Sequence, residues 1–140
     1  MRYRYLGLLV AATVLATVLA LPVGSAMAAN AELLHGSVRA VGHDARGSAA
    51  VVLVGQRRVL TLRNFKIDPG PNVRVYLVPR GVKKDGDVRK DFRDLGKLKG
   101  NKGNQQYRIP PSVDLRRYRS VIFWCVPFTQ TLARANLVRS

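Results

Sequence analysis

The chain has 140 residues, with 24 Lys+Arg against 8 Asp+Glu and a formal net charge of +16. It holds one cysteine and two histidines, so it closes no internal disulfide and lacks the four Cys/His ligands of a structural zinc site. Its few, scattered carboxylates argue against a hydrolase built on an acid/base pair.

In chain order, Met1-Arg2-Tyr3-Arg4-Tyr5 supplies a positive n-region and residues 6–23 are almost wholly apolar. Ala26-Met27-Ala28 then fits the small-x-small pattern of a signal-peptidase site. This predicts a signal peptide over residues 1–28 and one domain over residues 29–140, secreted or otherwise extracytoplasmic in the cell envelope. The rival is an uncleaved membrane anchor, but the apolar stretch is near the lower limit for spanning and contains Pro22 and Gly24. The remaining domain is long enough to bury about two-thirds of its unfolded surface. Its charge favours polyanions, unless it serves only solubility. Outside the cytoplasm the nearer polyanions are anionic lipid head groups, cell-envelope polymers or an acidic partner protein, and no nucleic acid is expected.

After residue 29 the apolar positions alternate, as in strands, with no sustained helical spacing. Residues 36–43 read as a first strand, joined through Asp44-Ala45-Arg46 to residues 47–54. Gly55-Gln56 suits a two-residue hairpin turn into residues 57–63, where Leu60 and Leu62 share a face against Val59 and Thr61. Asp68-Pro69-Gly70-Pro71-Asn72 reads as a rigid turn, with Gly70 free to take positive φ. Residues 72–78 follow, with Val73, Val75 and Leu77 facing away from Arg74 and Tyr76. The glycine-rich, basic residues 80–104 read as a solvated loop pair.

Residues 105–109 are a further strand, and residues 113–118 a single helical turn with Ser112 or Asp114 at its start. Residues 120–128 are the most hydrophobic of the domain and read as a central strand buried on both faces. Alternation sends Val121, Phe123 and Cys125 to one side and Ile122, Trp124 and Val126 to the other. Residues 131–137 complete the set. The fold class is all-β, an antiparallel β-sandwich of about seven to eight short strands, or its barrel-like closure.

Cys125 is a packed core thiol, an intermolecular link or a reactive group; reactivity needs partial exposure and a cation to stabilise the thiolate. A thiolate ligating haem iron would need an apolar pocket beside it. His43 falls at a hairpin bend, in phase with Arg39 on an exposed edge, and lacks the third group that a Cys/His catalytic pair requires. Trp124 points away from Cys125, which suits core packing. Asp85-Gly86-Asp87 with Asp91 lacks the spacing and the glutamate of a calcium loop. Residues 96–103, rich in glycine and lysine, suit an anion but reverse the order of a nucleotide-hydrolase phosphate loop.

Gly36, His43 and Gly47, then Leu62-Arg63-Asn64-Phe65 and Gly70-Pro71-Asn72-Val73-Arg74-Val75-Tyr76-Leu77, form a recognisable series. It continues through Asp94-Leu95-Gly96-Lys97-Leu98-Lys99-Gly100 and Gly103-Asn104-Gln105-Gln106-Tyr107-Arg108-Ile109-Pro110 to Tyr118-Arg119-Ser120-Val121-Ile122-Phe123-Trp124-Cys125. In this order the residues resemble the electron-transfer DM-thirteen domain family. The resemblance implies an extracytoplasmic β domain with a redox role, whose cysteine acts as a naked thiol or holds a prosthetic group such as haem. The matching position is Cys125. The chain departs from the family pattern at Val126-Pro127, where a basic residue often follows, and at Thr131-Leu132, where an aromatic and a glycine often stand.

The resulting expectation is a monomeric redox accessory module, rather than an enzyme, serving an unknown redox partner. Cys125 is the redox group, with Cys125, His43 and Trp124 as cofactor-binding candidates and no metal site. The alternative is a non-redox module that docks on anionic surfaces through its basic loops. N-terminal mass analysis of the exported protein should find Ala29 as the first residue; Met1 retained in a membrane fraction is the contrary result.

Overall fold

The computed structural model describes residues 12–20 and 30–140. The expected peptidase site at Ala26-Met27-Ala28 lies outside the described residues, among which no helix is long and apolar enough to cross a membrane. The domain is antiparallel β almost throughout. Its elements are β1 (Ala31–Ala40), β2 (Ala45–Val54), β3 (Arg57–Ile67), β4 (Val73–Pro79), α1 (Asp85–Val88), β5 (Arg93–Lys97), β6 (Gln105–Ile109), β7 (Tyr118–Cys125), β8 (Gln130–Asn136) and β9 (Val138–Arg139). They pair in the order β5-β4-β7-β8-β1-β2-β3-β6, with β9 on β1.

β1 turns this sheet round a corner. Its first part pairs with β2 from Ala31 to Ser37, and its last part with β8 from Val38 to Ala40. The corner forces backbones together at Gly36, where a Cβ would stand 2.2 Å from the carbonyl oxygen of Asn136. Further round, the edge strands β5 and β6 approach without pairing, which leaves a nearly closed barrel. Side chains close that seam. The Lys99 backbone N–H donates to the Tyr107 hydroxyl at 2.9 Å, the hydroxyl donates to Gln105 Oε1 at 2.6 Å, and Gln105 Nε2 donates to the Gly100 carbonyl at 2.6 Å. Burial pushes the Tyr107 hydroxyl above its ordinary pKa, with the Lys99 N–H acting the other way, so it stays a donor in neutral water.

Inside lie Leu60, Leu62, Val75, Leu77, Val121 and Phe123, all fully buried, with Phe65 and Phe123 stacked at 4.9 Å between ring centres. A second, smaller cluster lies on the outer face of β4 and β7, where Tyr76, Val78, Ile122 and Trp124 pack under Val88 of α1. β7 is therefore buried on both sides, as its alternation predicts.

The solvated loop pair expected over residues 80–104 is corrected by this cover. α1 and β5 form within it, and Val88 is fully buried. Asp85 Oδ1 accepts the Thr131 backbone N–H at 3.0 Å, and the Arg134 guanidinium donates to the carbonyls of Val82 and Lys83, both at 2.9 Å. The long apolar spacing that marks a helix is absent because one buried valine suffices. Gly47, expected as a strand boundary, instead sits inside β2 at a bulge with φ 120°, where a Cβ would meet Arg63 O and Phe65 Cα at 2.8 Å. The helical turn expected over residues 113–118 is shorter, a hydrogen-bonded turn at 115–117, because Tyr118 already opens β7. Asp114 Oδ1 accepts the Arg116 N–H at 2.9 Å, and that bond is the main cause holding the Asp114 carboxyl below its usual range.

Replacing Gly36 with alanine should destabilise the fold by about 1–3 kcal/mol or more, because backbone cannot rotate away as a side chain does. Gly86→Ala, in α1 with open space around it, should be neutral or stabilise by up to about 1 kcal/mol. Urea unfolding of the two variants checks both.

Candidate functional site

Cys125 ends β7, paired with Val73 of β4 on one side and Gln130 of β8 on the other. Its side chain joins the inner core and is 1% exposed. The Sγ thiol donates to the carbonyl oxygen of Pro71 at 3.3 Å. Pro71 itself is exposed, so one residue of the turn separates the sulfur from solvent. A bond donated by sulfur belongs to the protonated thiol, which is the less nucleophilic form.

The turn over the thiol is built differently from its sequence expectation. Gly70 keeps a negative φ, and Asn72 takes the left-handed conformation at φ 46°. The space beside Gly70 is tight: a Cβ there would stand 3.1 Å from Leu132 Cδ1 and 3.2 Å from Val73 Cγ2. Asparagine tolerates positive φ better than most residues, so the strain falls where it costs least. The Val126 N–H donates to the Asn72 carbonyl at 3.2 Å, tying the turn to the end of β7. Beyond it, Phe128 is 68% exposed at the tip of the β7–β8 connection.

His43 comes to the same end. The N–H groups of Val41, Gly42 and His43 all point at the Leu132 carbonyl, at 3.1, 3.1 and 3.3 Å. Its backbone runs beside β8, hence two strand spacings, about 10 Å, from β7. Trp124 lies on the opposite face of β7 from Cys125, in the outer cluster, with its ring 6.1 Å from that of Tyr76. Tyr76 stacks in turn on Phe92 at 4.4 Å, and Phe92 is 36% exposed. Burial pushes the Tyr76 hydroxyl above its ordinary pKa; the nearby Asp94 charge adds to this and Arg74 opposes it.

Cys125 and His43 thus share an end of the barrel without converging on one hollow, and Trp124 faces elsewhere. None of the surface hollows at Thr61, Leu34, Asp44, Gly47 or Gly81 is lined by any of the three. These residues do not fit haem. A thiolate-bound porphyrin needs an apolar slot beside the sulfur, and the space around Sγ is filled by core side chains and the Pro71 carbonyl. The Pro71 oxygen and the aromatic stack escape a strand-by-strand reading, because both join segments distant in sequence: the 68–72 turn to the end of β7, and β4 and β7 to Phe92.

A family model described as Electron transfer DM13 matches residues 37–137, and the chain belongs to that family. The membership supports a general redox or electron-transfer role. No curated protein and no solved structure matches the chain.

Native Cys125 should react with a maleimide slowly, at a rate that is flat at low urea because it is set by local opening of the 68–72 turn. The rate should climb only where global unfolding takes over. Mass spectrometry of quenched samples reads it; a rate rising with urea from the outset would place the thiol in a sealed core.

Proposed function

We propose that the protein is an exported electron-transfer accessory module whose redox group is the Cys125 thiol itself. The observation that supports it best is the position of the sulfur: buried against oxidants at large, yet one exposed residue beneath the surface under a turn with a strained Asn72. When the turn lifts, the thiol loses its proton to water and the sulfur attacks one sulfur of a partner disulfide. A new S–S bond forms to Cys125, the partner's S–S bond breaks, and the departing partner thiolate takes up a proton. The chain has no second cysteine, so the partner's other thiol must release the product. That dependence suits an accessory module better than a self-contained enzyme. Phe128, exposed beside this end, supplies the apolar contact on which a partner would seat.

Glutathione disulfide is a suitable probe. The native chain should gain one glutathione per molecule, on Cys125, and Cys125→Ser should gain none while keeping its circular dichroism spectrum. Failure of native protein to form the adduct, when urea-unfolded protein forms it readily, would overturn the reading.

A further inference from the structure

We propose that a second site, independent of Cys125, binds a linear phosphate-bearing polymer in a cationic groove between β3 and the 99–104 loop. Two adjoining hollows of about 640 and 530 Å³ make the groove, sharing Lys102 and Asn104 in their walls. Arg63 and Lys99 line the first hollow and Arg46 and Lys66 the second, and neither lining contains a carboxylate. Among the described residues, none of these five cations is ion-paired, whereas Arg74, Lys90, Arg93, Arg116 and Arg117 each have an aspartate partner. Asp44 and Asp68 occur only past the far end, beside Arg46 and Lys66.

The groove is preorganised. The loop is pinned to β3 by the Ile67 N–H to the Asn101 carbonyl at 2.9 Å, the Gly103 N–H to the Phe65 carbonyl at 2.8 Å and the Asn64 N–H to Asn104 Oδ1 at 3.0 Å. Lys99 is anchored through the Gln106 carbonyl, with its ammonium 5.1 Å from the Tyr107 ring centre. This pinning makes Lys66 and Lys102 direct cross-strand partners. Like charges placed opposite each other destabilise a strand pair, and an anion seated between them reverses that effect.

The lining also chooses among polyanions. Its one aromatic residue, Phe65, is 1% exposed, so bases would find no stacking platform and nucleic acid is disfavoured. The site is concave, which suits a chain and not a bilayer plane. Without exposed apolar anchors it lacks what holds an acidic protein segment. Lysines serve as point charges for phosphate, and the Asn104 and Gln106 amides can bond the hydroxyls of a polyol backbone.

Labelled linear polyphosphate titrated into the full exported chain provides the test. With five cations engaged, log K against log salt should slope about −3.5, at about −0.7 per phosphate on a single strand. Lys66→Glu with Lys102→Glu should weaken binding at least tenfold and flatten the slope to about −2. The matched pair Lys83→Glu with Lys84→Glu, of equal net charge, should weaken it less than threefold. Lys102→Glu alone, which sets a carboxylate opposite Lys66 and outside the hollow of Asp44 and Asp68, should raise the melting temperature without ligand, so loss of binding is separable from loss of fold. Equal weakening by both pairs would show that net charge alone binds. Equal affinity for single-stranded DNA, for polyglutamate or for anionic vesicles would overturn the assigned ligand.

Discussion

Everything in this domain follows from a strand that cannot show either face to water. β7 carries Val121, Phe123 and Cys125 on one side and Ile122 and Trp124 on the other, all buried. Five such side chains are each worth about 1.5–3 kcal/mol when removed from water, a sum comparable with the whole stability of a small domain. The inner face is satisfied by closing the sheet round Phe65 and the leucines of β3 and β4. The outer face requires a separate cover, and residues 80–98 provide it. Val88 and Phe92 seat that cover on the outer face, and charged groups fix its edge. Asp91 accepts hydrogen bonds from the Tyr118 hydroxyl at 2.6 Å and from Arg93 and Arg117; its carboxyl is held below the usual range by the Tyr118 bond first and by the two arginines besides. The same bond raises the Tyr118 hydroxyl. Because the carboxyl is depressed in the fold, this contribution is present above the ordinary carboxylate pKa and is lost as acid protonates Asp91.

The central position of β7 explains why the sole thiol is where it is. A cysteine at the last inward position of such a strand is carried to the rim of the barrel, where the chain must leave the sheet. There Pro71 closes over it through a single carbonyl. Had the cysteine stood at Phe123, two strand residues deeper, no turn would reach it. The proposed redox reading rests on this placement: the core hides the sulfur, and one exposed turn residue covers it.

Much of this was legible beforehand. The alternation of residues 121–125 placed each side chain on its observed face, though the strand expected over 120–128 runs from Tyr118 to Cys125, and residues 105–109 gave β6 with its observed limits. What escaped was set by contacts between distant segments. Gly47 looks like a strand end until Arg63 and Phe65 approach it. Gly70 looks like the residue of positive φ, whereas it is Asn72 that turns the chain, tied by the Val126 N–H to its carbonyl. The groove cations Arg46, Arg63, Lys66, Lys99 and Lys102 come from three parts of the sequence, and only pairing joins them. The lysines and glycines of residues 96–103 did hint at an anion; the strand residues that complete the wall left no local sign.

The two proposed sites make separable demands, since they share no residue: Cys125 lines neither hollow of the groove, and none of the groove cations touches its sulfur. The redox claim is the central one, and counting released thiolate tests it most directly. Reduced, purified chain titrated with an aromatic disulfide should release one aromatic thiolate per molecule, read by its absorbance, as the mixed disulfide forms on Cys125, and the serine variant at position 125 should release none on the same timescale. Thiolate release that is unchanged in that variant, or that disappears on replacing Trp124 or Tyr76 while Cys125 remains, would contradict the account.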